Sequence, residues 1–302
     1  MRALLALLVL VGLTACTAPD DGRPRIVVTT NILGDVVRTI VGDEAEVTVL
    51  MKPDADPHSF AISAREARTM QTADLLVHNG LGLEEGIARH VDAADVPTLE
   101  VGARVDPIEY RDGDAAGQPD PHFWTDPVRM ATAVRIITDE IADHVDVDEN
   151  AVRRRARDYT TELDALHADL GKRFAAIPAG RRVLVTNHHV FGYLADRYDL
   201  TVVGTIIPGG TTLASPSASD LASLTTAITR HRVPAIFADT SQPARLAEVL
   251  ASSAGLTVRV IALHSESLSG PDGDAATYLA LMRFNADAIV GGLTRTDQGE
   301  NQ

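Results

Sequence analysis

One long amphipathic segment near the middle of the chain constrains the fold more than any other feature. Between residues 150 and 177, apolar side chains recur at steps of four and three: Val152, Ala156, Tyr159, Leu163, Leu166, Leu170 and Phe174. This spacing predicts one helix with a single apolar stripe. At 1.5 Å per residue the helix reaches about 42 Å, which is enough to run the height of a domain. Pro178 and Gly180 end the pattern.

Short β-branched runs alternate with helical patterns on both sides of this segment. The runs predict strands at residues 25–30, 46–51, 75–78, 98–101, 182–186, 235–238 and 258–263. The helical patterns cover residues 32–41, 63–72, 83–91, 126–144, 190–198, 217–231, 244–254 and 278–291. Such alternation favours parallel sheets with crossover helices. The sequence therefore predicts an α/β fold of two similar lobes, with parallel-type sheets flanked by helices and joined by one long backbone helix. The predicted boundaries are 25–145 for the N-terminal lobe, 146–178 for the linking helix and 179–302 for the C-terminal lobe.

The N-terminus has the pattern of an export signal. A single positive charge, Arg2, precedes an apolar run at residues 3–15 that is too short to cross a bilayer. The run ends at Leu13-Thr14-Ala15-Cys16, which resembles a lipobox, where cleavage precedes a cysteine that receives a lipid. We therefore expect a signal peptide at residues 1–15, lipidation at Cys16 and a polar tether at residues 16–24.

Charge and cysteine content exclude several classes of protein. With 42 acidic and 27 basic side chains the formal net charge is −15, which argues against a nucleic-acid partner. One cysteine excludes an internal disulfide, a thiolate-rich zinc site and an iron–sulfur cluster. Any metal in this chain must be bound by nitrogen and oxygen.

Four short segments could supply such ligands. Asp56-Pro57-His58 and Asp120-Pro121-His122 repeat a tripeptide in which proline stiffens the loop that carries the histidine. The segment at residues 186–189 (Thr-Asn-His-His) follows a predicted strand, and so does the segment at 265–267 (Ser-Glu-Ser). Ligands bind beyond the carboxyl ends of strands in α/β sheets. Spacing alone leaves two readings open, a shared metal site or ordinary surface histidines.

A family resemblance adds what spacing does not provide. The chain resembles the TroA-like family, the zinc/manganese solute-binding proteins of bacterial ABC importers. The motifs stand in the family's order across nearly all of the mature chain, at residues 28–35, 53–60, 73–84, 120–127, 187–194, 214–217, 266–269 and 278–285. The resemblance implies two lobes joined by a long helix, with the metal bound in the cleft between them.

The resemblance also implies a ligand set. The family's ligand positions fall on His58, His122, His188 and Glu266, and the last is often aspartate in the family. His189 falls where many members have aspartate and is a poorer candidate. Three imidazoles and one carboxylate suit tetrahedral Zn²⁺, whereas Mn²⁺ prefers more oxygen ligands, so we expect zinc ahead of manganese. Groups that could support the ligands are Asp56, Asp120 and His264.

These features predict a binding protein rather than an enzyme. It would capture Zn²⁺ at the outer face of the cytoplasmic membrane or in the periplasm, act as a lipid-anchored monomer, and deliver the ion to an ABC permease. Three alternatives stay open: a manganese-binding member of the same family, a secreted zinc hydrolase in which Glu266 acts as a base, and a metal-binding adhesin or buffering lipoprotein. Residues 106–120 are acidic and contain no histidine, so we expect a solvated loop there, with an oxygen-rich lid as the alternative.

The lipid anchor can be tested directly. Replacing Cys16 with alanine removes the only thiol of the chain, so the Cys16→Ala protein should leave the membrane fraction. Blotting of membrane and soluble fractions measures this. Unchanged membrane association of the variant would contradict lipidation at Cys16.

Overall fold

A computed structural model describes residues 22–111, 113–254 and 257–294. The predicted signal peptide, Cys16 and residues 16–21 of the tether lie outside the described residues, so their predictions stay predictions. Among the helices in the described ranges, none combines the length and the apolar character needed to cross a membrane.

The N-terminal lobe is built on a parallel four-stranded sheet. Its strands lie in the order β2-β1-β3-β4, with Val27 of β1 paired to Thr48 of β2 and to Leu76 of β3. The elements are β1 (Arg25–Val28), α1 (Asn31–Val41), β2 (Glu46–Val49), α2 (Ala64–Met70), β3 (Leu75–His78), α3 (Ala88–Asp92), β4 (Thr98–Glu100) and α4 (Pro127–His144). Crossovers that contain α1, α2 and α3 join the successive strands of this sheet, as the alternating pattern predicts.

The C-terminal lobe repeats the same design. Its sheet is parallel with the order β6-β5-β7-β8, so the strand order of the first lobe recurs. The elements are β5 (Val183–Thr186), α6 (Gly192–Tyr198), β6 (Thr201–Thr205), α7 (Ala218–His231), β7 (Ala235–Asp239), α8 (Arg245–Ser253), β8 (Arg259–Leu263) and α9 (Tyr278–Thr294). The predicted fold class, two similar parallel-sheet lobes flanked by helices, is confirmed.

Helix α5 (Glu149–Ala175, 27 residues) joins the two lobes. Asp148 caps it by accepting a hydrogen bond from the Ala151 amide, and every residue of the predicted apolar stripe is buried. The helix packs against α1 and α4 on one side and α6 and α9 on the other. One continuous apolar cluster runs from Val36 through Leu163 to Leu184 and Phe237. The lobes therefore share a core and are not two bodies on a hinge.

Two sequence predictions need correction. Strand β6 was missed, because Gly204 interrupts its β-branched run and the strand follows α6 after only two residues. The helix predicted over residues 83–91 is wrong at its start, since α3 begins at Ala88. Residues 81–87 form turns instead, because the buried Glu84 carboxylate accepts the amide hydrogens of Asn79 and Gly80.

Candidate metal centre

Four predicted residues meet at the seam between the lobes. His58, His122, His188 and Glu266 each present one nitrogen or oxygen atom, and these atoms lie within 4.8 Å of one another. The side chains are buried, with exposed fractions of 0 to 1%. We call these four residues the cluster. They come from loops beyond strand carboxyl ends in both lobes, where open α/β sheets place their ligand sites.

Asp56 fixes the loop that carries His58. Its Oδ1 accepts the amide hydrogen of His58 at 2.9 Å, and its Oδ2 accepts the hydroxyl of Ser59 at 3.0 Å. The same Oδ2 accepts hydrogen bonds from two residues of the C-terminal lobe, Thr212 (2.5 Å) and Gln242 (2.9 Å). Asp56 therefore orders the His58 loop and ties it to the opposite lobe.

Asp120 fixes both the backbone and the ring of His122. Its Oδ1 accepts the His122 amide hydrogen at 2.9 Å and lies 2.7 Å from Nδ1 of the same residue. A proton on Nδ1 is shared with this carboxylate, so the lone pair of the neutral ring is on Nε2, which points at the cluster. The Tyr110 hydroxyl lies 3.2 Å from the same Nδ1. His122 is therefore held in the tautomer that binds a cation.

The segment that carries Glu266 is held by the opposite lobe. Indole Nε1 of Trp124 donates to the carbonyl of Ser265 at 2.9 Å. The Asn31 amide donates to the Ser267 hydroxyl at 2.7 Å, and its oxygen accepts the Leu268 amide hydrogen at 2.9 Å. Two side chains of the N-terminal lobe thus fix the backbone on both sides of the C-terminal lobe's carboxylate.

The spacing of the cluster matches a tetrahedral cation site. The Nε2 atoms of His58 and His122 are 3.5 Å apart, and those of His122 and His188 are 3.4 Å apart. Oε1 of Glu266 lies 3.0 Å from Nε2 of His188 and 3.6 Å from that of His122. Zinc–nitrogen bonds of about 2.1 Å give a tetrahedron with edges of about 3.4 Å. The two nitrogen–nitrogen distances are therefore close to the edges that such a site requires.

Several polar atoms of the cluster have no hydrogen-bond partner among the described residues. Among the described residues, neither carboxylate oxygen of Glu266 has a hydrogen-bond donor, and Nδ1 of His58 and of His188 has no partner. A buried carboxylate without donors is costly, since burial removes the water that would stabilise its charge. A divalent cation coordinated by Oε1 or Oε2 would offset that cost.

Burial sets the protonation state of the cluster. Loss of solvation lowers the pKa of His58 to about 4 and that of His122 to about 3, and it also lowers the pKa of His188. The imidazoles are therefore neutral near pH 7, which is the form that binds metal. Burial raises the pKa of Glu266 to about 7 and that of Asp120 to about 7. Both carboxyl groups therefore exchange protons in the physiological range.

The structure separates the other sequence candidates from the cluster. The His264 ring packs against Phe284 at 5.0 Å and its Nδ1 lies 3.2 Å from the Thr240 hydroxyl. The ring of His264 thus contacts a residue of α9 and a residue just after β7, and it does not support Glu266. His189 places its ring 6.3 Å from that of Tyr110, outside the four-residue group.

Two supporting residues were missed by sequence reasoning. Tyr110 lies in the acidic segment 106–120, yet it is buried and contacts His122. The described residues of this segment are not simply a solvated loop, since the Tyr110 amide donates to the Gln118 carbonyl and Glu109 forms an antiparallel β-bridge with Pro119. Asp239, at the end of β7, accepts the Ser265 amide hydrogen at 3.1 Å. An acidic residue ending a buried strand was the available signal for Asp239, and none marked Tyr110.

Comparison with known proteins places the chain in a family. Residues 26–292 match the family described as zinc-uptake complex component A, periplasmic. The zinc-binding protein TroA of Treponema pallidum is 30% identical over 92% of this chain and 91% of its own length. Its solved structure superposes with a TM-score of 0.84 at 27% identity, covering 91% of this chain and 100% of that one.

Other relatives bear the names of different metals. The iron-binding protein YfeA of Yersinia pestis is 28% identical over 89% of this chain and 86% of its own length. The manganese-binding lipoprotein MntA of Halalkalibacterium halodurans is 24% identical over 92% of this chain and 91% of its own length. The match over residues 26–292 covers most of the sequence, and the chain therefore belongs to the zinc-uptake component A family, the TroA-like metal-binding proteins of ABC importers.

Proposed function

We propose that this protein captures Zn²⁺ in the cluster and delivers it to the permease of an ABC importer. One observation carries the proposal: three neutral imidazoles and one carboxylate converge. Each of the four groups is buried and comes from a different strand-end loop. With Cys16 lipidated, the protein would work at the outer face of the cytoplasmic membrane or in the periplasm. The periplasmic and lipoprotein names of its relatives support that location.

The ligand chemistry favours zinc over manganese. Nitrogen ligands predominate, and Zn²⁺ accepts four-coordinate sites of this kind, whereas Mn²⁺ favours sites rich in oxygen. The relatives bear zinc, iron and manganese names, so the argument rests on the ligands of this chain.

The same ligand count argues against an enzyme. A zinc hydrolase keeps one coordination position for the water that it activates. Four protein ligands fill a tetrahedral shell, and burial of the cluster keeps bulk water and a substrate away from the cation. We therefore propose a binding role for Glu266 and not the role of a general base.

Metal preference can be tested by competition. Metal-free protein titrated with Zn²⁺ and Mn²⁺ together should bind Zn²⁺ more tightly. The matched variant His188→Asp adds an oxygen ligand in place of a nitrogen, so it should shift the Zn²⁺/Mn²⁺ affinity ratio toward manganese by about tenfold, or 1.4 kcal/mol. Tighter Mn²⁺ binding by the wild type would overturn the zinc assignment.

The ligand set can be tested by truncation. His58→Ala, His122→Ala and His188→Ala should each lower Zn²⁺ affinity by more than the roughly 10- to 100-fold that loss of a supporting group costs. Glu266→Ala should weaken binding less than any histidine loss. His264→Ala is the control, because its ring contacts Phe284 and Thr240, and it should retain wild-type affinity. Calorimetry measures all five, and wild-type affinity in the four cluster variants would end the site hypothesis.

Zinc binding should depend on pH between about 6 and 8. The pKa of Glu266 is raised to about 7, so below that pH the metal-free carboxyl holds a proton that the cation must displace. The pKa of Asp120 is also raised to about 7, and Asp120 couples to the cation through Nδ1 of His122, because a cation on Nε2 favours the charged carboxylate. His58 and His122, with a pKa of about 4 and 3, stay neutral throughout this range. Affinity should therefore fall as the pH falls, by up to about tenfold per unit for each proton released.

Calorimetry in two buffers of different ionisation enthalpy counts these protons. The number released per Zn²⁺ should decrease from about pH 6 to about pH 8. Glu266→Gln keeps the size of the side chain but has no titrating group, and it should release about one proton fewer near pH 6. An affinity that does not change with pH would contradict this account.

A further inference from the structure

The cluster is sealed from solvent, so a cargo ion cannot enter or leave unless a covering segment moves. His122 and His188 are 0% exposed, and His58 and Glu266 are 1% exposed. The shared core and α5 hold the lobes together along their length. We therefore expect the path for the ion to open at a loop that polar contacts, and not apolar packing, join to the opposite lobe.

One segment next to the cluster meets that description. Residues 208–213, here called the glycine loop, follow β6 in the C-terminal lobe and contain Gly209 and Gly210. Gly209 has a φ of 133°, which side chains other than hydrogen rarely allow. The Gly209 carbonyl accepts the amide hydrogen of His189, the residue after His188. The glycine loop thus lies beside the His188 loop within its own lobe.

The N-terminal lobe holds the glycine loop at a first point through Asp56. The Thr212 hydroxyl donates to Oδ2 of Asp56 at 2.5 Å, while Oδ1 of the same carboxylate accepts the His58 amide hydrogen. Thr212 and Asp56 are both buried. A hydrogen bond to a buried carboxylate is stronger than one between neutral groups. One carboxylate therefore joins the glycine loop to the His58 loop.

Tyr110 makes the second link. Its hydroxyl donates to the Gly210 carbonyl at 3.3 Å and lies 3.2 Å from Nδ1 of His122. A Cβ at position 210 would stand 2.4 Å from that hydroxyl oxygen, so a glycine is needed for the phenol to approach. The glycine loop is thus tied to the loops of both N-terminal histidines.

Other polar contacts also cross the seam, but those around Trp124 and Tyr278 are backed by apolar packing. The Tyr278 hydroxyl donates to the Trp124 carbonyl, and Trp124 in turn donates to Ser265, with both aromatic rings packed in the shared core. Opening the seam there would expose large apolar surfaces. Releasing the glycine loop breaks hydrogen bonds of Thr212 and Tyr110 and leaves the shared core in place.

We propose that the glycine loop is the segment that opens for passage of the cation, and that Tyr110 and Asp56 are positioning residues that hold it closed. The proposal rests on the proposed function of the cluster as a cargo site. Because each positioning residue also contacts a cluster histidine, closing the loop and placing His58 and His122 occur together. Opening the loop leaves Glu266 in place, since Trp124 and Asn31 hold its backbone.

Thr212→Val tests the first link with little change in shape. The valine cannot donate to Asp56, whereas the Asp56–His58 bond is untouched. Stopped-flow chelator competition on zinc-loaded protein should show release about three- to tenfold faster, with entry accelerated in parallel and Kd changed much less. Thr205→Val is the control, because that hydroxyl donates to Ile207 within the same lobe, and its release rate should match wild type. Unchanged release from Thr212→Val, or equal acceleration in both valine variants, would overturn the proposal.

Hydrogen exchange of the metal-free protein separates the loop from the cargo. The amides of residues 209–213 should exchange faster in Thr212→Val and in Tyr110→Phe than in Thr205→Val or wild type. This measurement needs no bound ion, so it tests whether Thr212 and Tyr110 hold the loop closed even if the wild type fails to bind Zn²⁺. Failure of the wild type to bind Zn²⁺ would overturn the proposed function instead. Wild-type exchange in both Thr212→Val and Tyr110→Phe would show that these side chains do not hold the loop.

Discussion

Burial of the Glu266 carboxylate at the lobe seam is the constraint on which the rest of the site depends. The side chain is 1% exposed and its oxygens have no hydrogen-bond donor among the described residues, so the metal-free protein bears the cost of desolvating it. A protonated carboxyl lowers that cost, which is why the pKa rises to about 7. The backbone on either side is fixed by Trp124 and Asn31. Because the surrounding structure fixes this backbone, the buried carboxylate stays in a position from which it can coordinate a cation.

The fold follows closely from local sequence signals where one period dominates. The stripe from Val152 to Phe174 predicts α5. Ser63 and Ser217, the first residues of two predicted helical patterns, form capping boxes at the observed helix starts. The failures come from tertiary contacts. The Glu84 carboxylate accepts backbone amide hydrogens and stabilises a turn. The apolar residues around Glu84 have helical spacing, so the sequence pattern predicts a helix there instead. Strand β6 includes Gly204, which interrupts its β-branched run, and it pairs with β5, whose register shifts there.

Sequence reasoning identifies the four residues of the cluster and two of their supports, Asp56 and Asp120, but not Tyr110 or Asp239. Proline-stiffened loops and strand ends indicate the four segments, because those signals are local, and the family resemblance assigns the ligand positions to His58, His122, His188 and Glu266. The contacts of Tyr110 with His122 and Gly210 join residues 12 and 100 positions apart. No periodicity encodes such a meeting, since it arises when two lobes are packed together. His264 shows that closeness in sequence does not ensure a contact. It lies two residues from Glu266 in the chain, yet its ring packs against Phe284.

The two lobes contribute unequal halves of the cluster. In the N-terminal lobe, carboxylates order the ligands directly: Asp56 binds the His58 backbone and Asp120 binds the His122 ring. In the C-terminal lobe, Nδ1 of His188 and both oxygens of Glu266 have no hydrogen-bond partner among the described residues. Carboxylates therefore order the N-terminal histidines before a cation arrives, whereas the Glu266 carboxylate would gain its missing partner from the cation itself. A site divided in this way needs no large closure of the lobes, because the shared core already brings the two halves within coordinating distance.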